Sequence, residues 1–283
     1  MAAIEVTDLT YAYPDGTGAL EHLDLRVEEG EKVAIVGGNG AGKSTLLELL
    51  CGFHFPFQGA VRIQGELLTR ESAARVRRHF GLVFQDPDDQ VFMPRVWDDV
   101  AFGPTNLGWT PERVRNAVEE ALVELRIHDL RDRAPHRLSF GQRKRVAIAG
   151  VLAMNPEVLL LDEPMSGLDH EARSELLSLL SASRKTHLIT THNLEGIVEF
   201  MDRVVVLKVT KVAEGGPREI LLRDDIMAAA NVDVPPISRL FRALQKRGHP
   251  METLPLSIEE AIRVLTGELA KAEVPRPARP ARP

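Results

Sequence analysis

Residues 37–44 read Gly-Gly-Asn-Gly-Ala-Gly-Lys-Ser. They follow the apolar run Lys32-Val33-Ala34-Ile35-Val36 and precede leucines at 46, 47, 49 and 50, which recur at helical spacing. A buried strand, a glycine-rich loop and a helix in that order leave few folds open. The segment fits the pattern G-x-x-x-x-G-K-[ST] in the context that pattern requires. Its residue types have a chemical reason. Glycines allow positive φ and close backbone approach, so successive N–H groups can converge on an anion. The helix start adds a partial positive charge. Lys43 supplies a full charge for β- and γ-phosphates, and Ser44 offers a hydroxyl to Mg²⁺. Cys51, in the apolar helix that follows, is expected in the core; as the single cysteine it permits no internal disulfide.

Further along, strand and helix signals alternate, which predicts an α/β fold with a largely parallel sheet. Residues 4–9 and 23–27 alternate apolar and polar, with a turn at Pro14-Asp15-Gly16 between them. A short strand is expected at Ala60 to Ile63, and buried strands at Val158 to Leu161, His187 to Thr190 and Val204 to Leu207. Residues 110–125 predict a helix capped by Thr110 with Pro111 in its first turn, and another should begin near Ser139. Near residue 216 the pattern changes. Residues 218–268 read as short helices around Pro235-Pro236, and 269–283 as a disordered tail rich in proline and arginine.

The run Val158 to Leu161 ends in Asp162-Glu163. A buried parallel strand delivers its C-terminal end to the ligand crevice. Asp162 is placed to hold Mg²⁺, directly or through water, and Glu163 to orient or deprotonate the attacking water.

Leu138-Ser139-Phe140-Gly141-Gln142 closely resembles the signature of ABC transporter ATPases, usually written L-S-G-G-Q. The chain then carries the ordered set of that family: phosphate loop, Gln85, signature, acidic pair, Ser166-Gly167-Leu168-Asp169, and His192. The resemblance covers about residues 4–215. It implies an ABC ATPase cassette with a RecA-like phosphate-loop core, an antiparallel β subdomain and an α-helical signature subdomain at about 86–155. The cassette would span 1–217, followed by a small, mainly helical accessory and dimerisation segment at 218–268. The resemblance further implies ATP and Mg²⁺ as cofactors. Tyr13 would stack on adenine; Asn39, Gly40, Ala41, Gly42, Lys43, Ser44 and Thr45 would hold the phosphates. Ser44, Gln85 and Asp162 would face Mg²⁺, with Glu163, His192 and Gln85 at the reacting phosphate. Ser139, Gly141 and Gln142 would serve the nucleotide of an opposite subunit, and Asp169 would link the two subunits. Phe140 departs from the usual glycine, which bears on how closely that backbone approaches phosphate. Met165, Asn193 and the missing glycine near Lys208 to Lys211 depart too, without removing a catalytic group.

The net charge of −6 argues against nucleic acid as the main partner. No apolar stretch approaches the ~20 residues a spanning helix needs, and residues 1–9 lack a signal-peptide pattern. The expected place is therefore the cytoplasmic face of the inner membrane, held peripherally by partners. The acidic stretch from Gln85 to Phe92 and the run Trp97 to Gly108 are similar to ATPase subunits of energy-coupling-factor transporters, above all the cobalt and nickel branch. Pro235-Pro236 and the residues after it resemble that group's C-terminal extension. This implies a second ATPase copy or a paralogue, a transmembrane scaffold subunit met through the Gln85 region, and a separate substrate-binding membrane subunit. The acidic stretch would face basic residues of the scaffold. Arg143, Lys144 and Arg145 read as a solvated or packing face. The alternatives are a vitamin importer of the same type, or a soluble ABC ATPase outside transport.

Overall fold

Two long strands, β1 (Ala2–Ala12) and β2 (Gly18–Glu28), pair antiparallel across the Pro14-Asp15-Gly16 turn. The apolar run forms β3 (Lys32–Val36), and the glycine-rich loop leads into α1 (Lys43–Leu50). Strands β4 (Gln58–Ile63) and β5 (Glu66–Leu67), one turn of helix α2 (Ala73–Val76) and strand β6 (Phe80–Val83) follow. Three helices come next: α3 (Val96–Asn106), α4 (Pro111–Glu124) and α5 (Phe140–Ala153). Alternation resumes with β7 (Val158–Asp162), α6 (His170–Ala182) and β8 (Thr186–Thr191). Strands β9 (Arg203–Lys208) and β10 (Thr210–Gly215) lead into α7 (Pro217–Leu221), α8 (Asp224–Ala229), α9 (Pro236–Lys246) and α10 (Ile258–Ala272). The structure, a computed structural model, describes residues 1–55, 57–194, 196–249 and 253–272.

Two sheets result. One is antiparallel with order β2-β1-β4-β5; the other has order β10-β9-β3-β8-β7-β6 and is parallel except for β10. Side chains alternate across a strand, and β3 uses both faces. Val33 and Ile35 join the core between the sheets, with the leucines of α1 and the buried Cys51; Ala34 and Val36 join the core under α4, α5 and α6. Burial pushes the Cys51 thiol up to about 12, as expected of an inert core cysteine. Register fixes the functional edge. Val36 lies beside Thr191 and Asp162 beside Thr190, so the ends of β3, β7 and β8 open on one crevice.

The expected division at residue 217 falls inside a continuous core. Ile220, Leu221, Met227, Ala230, Val232, Val234 and Leu256 share the cluster formed by β9, α5 and α6. Arg218 fastens α10 by two hydrogen bonds to Glu260, at 2.8 and 2.7 Å. Beyond Pro235, α9 buries Phe241 and exposes Leu240. Helix α10 continues to Ala272, four residues into the expected tail, and residues 273–283 lie outside those described.

Candidate functional site

Helix α1 starts at Gly42 with φ +93, a conformation that favours glycine, and no side chain caps its first turn. Its leading N–H groups therefore remain for a ligand. The Lys43 ammonium, 7% exposed, donates to the carbonyls of Gly37 and Gly38 at 2.8 and 3.0 Å. Burial lowers its pKa, while Glu163 and Asp162 pull the other way. Neighbouring backbone braces the loop: Gly38 N–H donates to Ala230 C=O at 3.0 Å, and Val209 N–H to Ala41 C=O at 3.0 Å. Val209 holds φ +63, so a β-branched residue is strained into the place of the missing hairpin glycine.

Opposite the loop, Thr190 and Thr191 at the end of β8 organise the acidic pair. Thr190 Oγ1 donates to Asp162 Oδ1, and Thr191 Oγ1 donates to Glu163 Oε2 at 3.3 Å. Glu163 N–H donates to Thr190 C=O at 3.1 Å, and Glu163 has φ +44. That turn lifts its carboxylate toward His192, whose Nδ1 lies 2.7 Å from Glu163 Oε1, and leaves it 3.9 Å from the Lys43 ammonium. With Nδ1–H donating to Glu163, Nε2 of His192 remains for a second partner. Lys43, Asp162, Glu163 and His192, expected from separate motifs, thus meet in one crevice. Gln85 reaches its side: it lines a cavity of about 370 Å³ with Phe84, Phe140, Asp162 and Ser166.

The donor set fits Mg²⁺. A hard ion that keeps several waters needs only one or two protein oxygens plus substrate phosphates. Among the described residues no cluster of three or more acidic, histidine or cysteine side chains forms a closed metal cage. The carboxylate of Asp162 and the hydroxyl of Ser44 are of the required kind.

Tyr13 lies beside the phosphate loop, its hydroxyl 2.7 Å from Thr45 Oγ1, while Tyr11 is buried and stacked on His54. Ser139, Gly141 and Gln142 stand apart at the start of α5. There Ser139 Oγ accepts from Gln142 N–H at 3.2 Å, and Gln142 Oε1 accepts from Ser139 N–H at 3.0 Å. Asp169 caps α6, accepting from Ala172 N–H at 2.8 Å.

Asp88 is taken by Arg143 of the same chain at 2.5 Å, and Asp99 accepts the N–H groups of Phe92 and Met93 at 3.1 and 3.0 Å. Asp86, Asp88 and Asp89 stay exposed, with Asp88 paired to Arg143, and an exposed aromatic pair stands beside them. Phe92 and Phe102, 64% and 44% exposed, meet edge to face at 5.0 Å. Of the three basic residues after the signature, Arg143 and Arg145 form ion pairs, and Lys144 is fully buried with its pKa lowered to about 8 by burial. Of the two readings offered by the sequence, solvated or packing, these three residues form a packing face. Sequence reasoning also missed Thr190, Thr191, Val209 and Ala230. The signal for the threonines was present, two hydroxyl residues closing a buried strand beside the acidic pair.

A phosphate loop facing a carboxylate pair and a histidine at the ends of parallel strands defines a nucleotide-hydrolysing cassette. The profile of the ABC transporter family matches residues 20–166. The energy-coupling factor transporter ATP-binding protein EcfA of Methanothermobacter thermautotrophicus is 43% identical over 268 residues, 93% of this chain and 86% of its own length. CbiO1 from Clostridium perfringens, described as part of the ABC transporter complex CbiONQ, is 38% identical with TM-score 0.72 over 85% of this chain and 99% of that one. The ATP-binding cassette MJ0796, solved as a dimer in a post-hydrolysis state with ADP and Pi, is 29% identical with TM-score 0.69, covering 76% and 99%. The chain belongs to the ABC transporter family, as an ATP-binding, ATP-hydrolysing subunit. No helix among the described residues is long and apolar enough to cross a membrane.

Proposed function

We propose that the chain is the ATPase of an energy-coupling-factor importer, in which ATP-driven closure of two cassettes powers uptake of a transition metal ion, cobalt or nickel. The observation that carries the ATPase part of the reading is the meeting of Lys43, Asp162, Glu163 and His192 in one crevice. The phosphates of ATP lie along residues 39–45, where uncapped N–H groups and Lys43 face them, and the adenine stacks on Tyr13. Mg²⁺, held by Ser44, Asp162 and Gln85, would neutralise charge between the phosphates. Glu163 takes a proton from the attacking water, and His192 holds the Glu163 carboxylate in place while its Nε2 faces the γ-phosphate. Ser139, Gly141 and Gln142 of a second chain, a copy or a paralogue, complete each site, and Asp169 meets that chain across the interface. The exposure of Ser139 at the start of α5 supports this.

The aromatic face at Phe92 and Phe102 receives a helix of the transmembrane scaffold, with a separate membrane subunit binding the substrate. The assembly sits on the cytoplasmic face of the membrane. Exposed Leu240, Ile258, Ile262 and Leu265 on α9 and α10 form the surface through which the C-terminal segments of two cassettes stay in contact. The run Trp97 to Gly108, which resembles the cobalt and nickel branch, supports a metal substrate. Co-expression with a scaffold and either a metal-type or a vitamin-type membrane subunit decides the substrate. ATP-dependent uptake of radiolabelled Co²⁺ or Ni²⁺ is expected. Vitamin uptake without metal uptake would move the reading to the vitamin branch.

A further inference from the structure

Lys144 has no exposed surface, yet no step above uses it. Its ammonium donates to the carbonyls of Phe84 and Gln85, at 3.1 and 2.6 Å. Those carbonyls sit at the root of the loop that carries the Gln85 side chain. One helical turn earlier, on the same face of α5, stands Phe140. Its ring lies directly on Gly167: a Cβ at Gly167 would come within 2.3 Å of Phe140 Cε1. Gly167 belongs to the turn that leads to Asp169. Two further contacts run parallel to these. Arg143 holds Asp88, and Gln90 links Phe84 N–H, Leu82 C=O and Ala147 C=O at 3.2, 3.2 and 3.4 Å.

We propose that the α5 face carrying Phe140 and Lys144 is a positioning face, which ties the signature turn at Ser139 to the Gln85 loop and the Ser166–Asp169 turn of the same chain. A buried ammonium is a costly link unless its hydrogen bonds are made, and here both acceptors lie on the loop to be fixed. The start of α5, which serves a partner's nucleotide in the arrangement proposed above, is thereby set by loops lining the chain's own site. Occupancy of one site reaches the other through these two side chains. The usual glycine at position 140 has no ring to make the second contact.

Lys144→Met tests this. It keeps the volume and removes both the donor and the buried charge, and the freed Gln85 carbonyl can meet water because Gln85 is exposed. Expected are an unchanged or higher Tm and an ATP Kd within about threefold, with kcat lower by about tenfold or more, the scale at which misplaced groups cost rate. The Hill coefficient for ATP should fall toward about 1, because coupling between two sites is what cooperativity reports. Phe140→Gly should lower the Hill coefficient in the same way, and Phe140→Leu, which keeps an apolar contact on Gly167, should restore most of it. Wild-type kcat and cooperativity in Lys144→Met overturn the proposal. So does a kcat that falls only in step with Tm and ATP affinity, since that is a folding defect. Were the two-chain arrangement itself wrong, the unaltered protein would already show a Hill coefficient near 1, whereas the kcat of Lys144→Met still reports on positioning.

Discussion

Helices α1 and α5 both begin where family resemblance expects a phosphate, but their first turns are built in opposite ways. At α1 the residue before the helix is Gly42 and no side chain closes the turn. The N–H groups are left open, and the nearest cation, Lys43, is occupied with carbonyls of its own loop. At α5 the first turn is closed by a reciprocal pair, Ser139 with Gln142. The difference separates two tasks. A loop that receives ATP from solution in a single chain can leave its donors open to water. In the two-chain arrangement proposed above, a helix start that waits for nucleotide carried by another chain has to keep its shape alone, and a capping box does that. In that arrangement Ser139 would exchange an internal bond for one to phosphate when the second chain arrives.

The largest effect should come from removing the base proposed for both arrangements, Glu163. Glu163→Gln keeps the shape of the side chain but cannot accept a proton, so turnover should fall by about 10²–10⁴-fold. The variant should bind ATP and hold the two-chain state, so that both helix starts grip one nucleotide at once. Phosphate release and sedimentation with ATP check the two halves. A variant with normal turnover would remove Glu163 from the site.

Lys43→Ala breaks the α1 side of the comparison alone. A charge-assisted hydrogen bond is worth about 1.5–3 kcal/mol, so ATP affinity should fall by roughly 10–100-fold. Calorimetric titration reads this directly, and unchanged affinity would mean that residues 37–44 are not the nucleotide loop.

Ser139→Arg breaks the α5 side, and mixing decides in which chain it acts. A hybrid of a Ser139→Arg chain with a Glu163→Gln chain carries one intact and one doubly damaged site if Ser139 works in trans. Equal mixing gives half hybrids, so up to about a quarter of normal turnover should return from two inactive parents. If Ser139 served its own chain, each site of the hybrid would hold one defect and the mixture would stay silent.

The contrast also marks what could be read from sequence. The Gly37–Ser44 loop, the Asp162-Glu163 ending and Ser139 announce themselves because glycine, charge and caps sit at fixed offsets from apolar runs. Strand β6 and helix α3 gave no such signal. Four residues with a glycine among them are too few for periodicity, and Gly103-Pro104 looks like the end of a helix. Helix α3 nevertheless runs through both, since Pro104 falls in its last turn and Gly103 lies so close to Met154, which follows α5, that a Cβ would come within 2.5 Å of its sulfur. The roles of Ala230, Val209 and Lys144 were hidden for another reason. Each acts on a loop far away in the chain: Ala230 and Val209 through backbone groups that every residue carries, and Lys144 through an ammonium whose carbonyl acceptors lie some sixty residues earlier.

The smallest effect should appear at the other end of the same strand that organises the acidic pair. His187 lies at the start of β8, paired in register with Lys32 and fully buried, while Thr190 and Thr191 hold Asp162 and Glu163 at its end. Burial, helped by Lys32 and Lys185, lowers the His187 pKa to about 4. The unfolded chain binds a proton there near the usual value of about 6.5. Between those values the unfolded state holds more protons, so this contribution to stability is complete above about pH 6.5 and is lost as pH falls toward 4. The loss should be on the order of 1–3 kcal/mol, or several degrees in Tm for a chain of this size. His187→Gln lacks the titration, so the drop in Tm between pH 7.5 and 4.5 should be shallower than in the parent; these two pH values are about one unit outside and just inside the window. ATP affinity at pH 7.5 should be unchanged, because neither helix start touches this end of the sheet. An equal pH slope in parent and variant would show that His187 is not the group titrating, and a change in ATP affinity would show that the two ends of β8 are not independent.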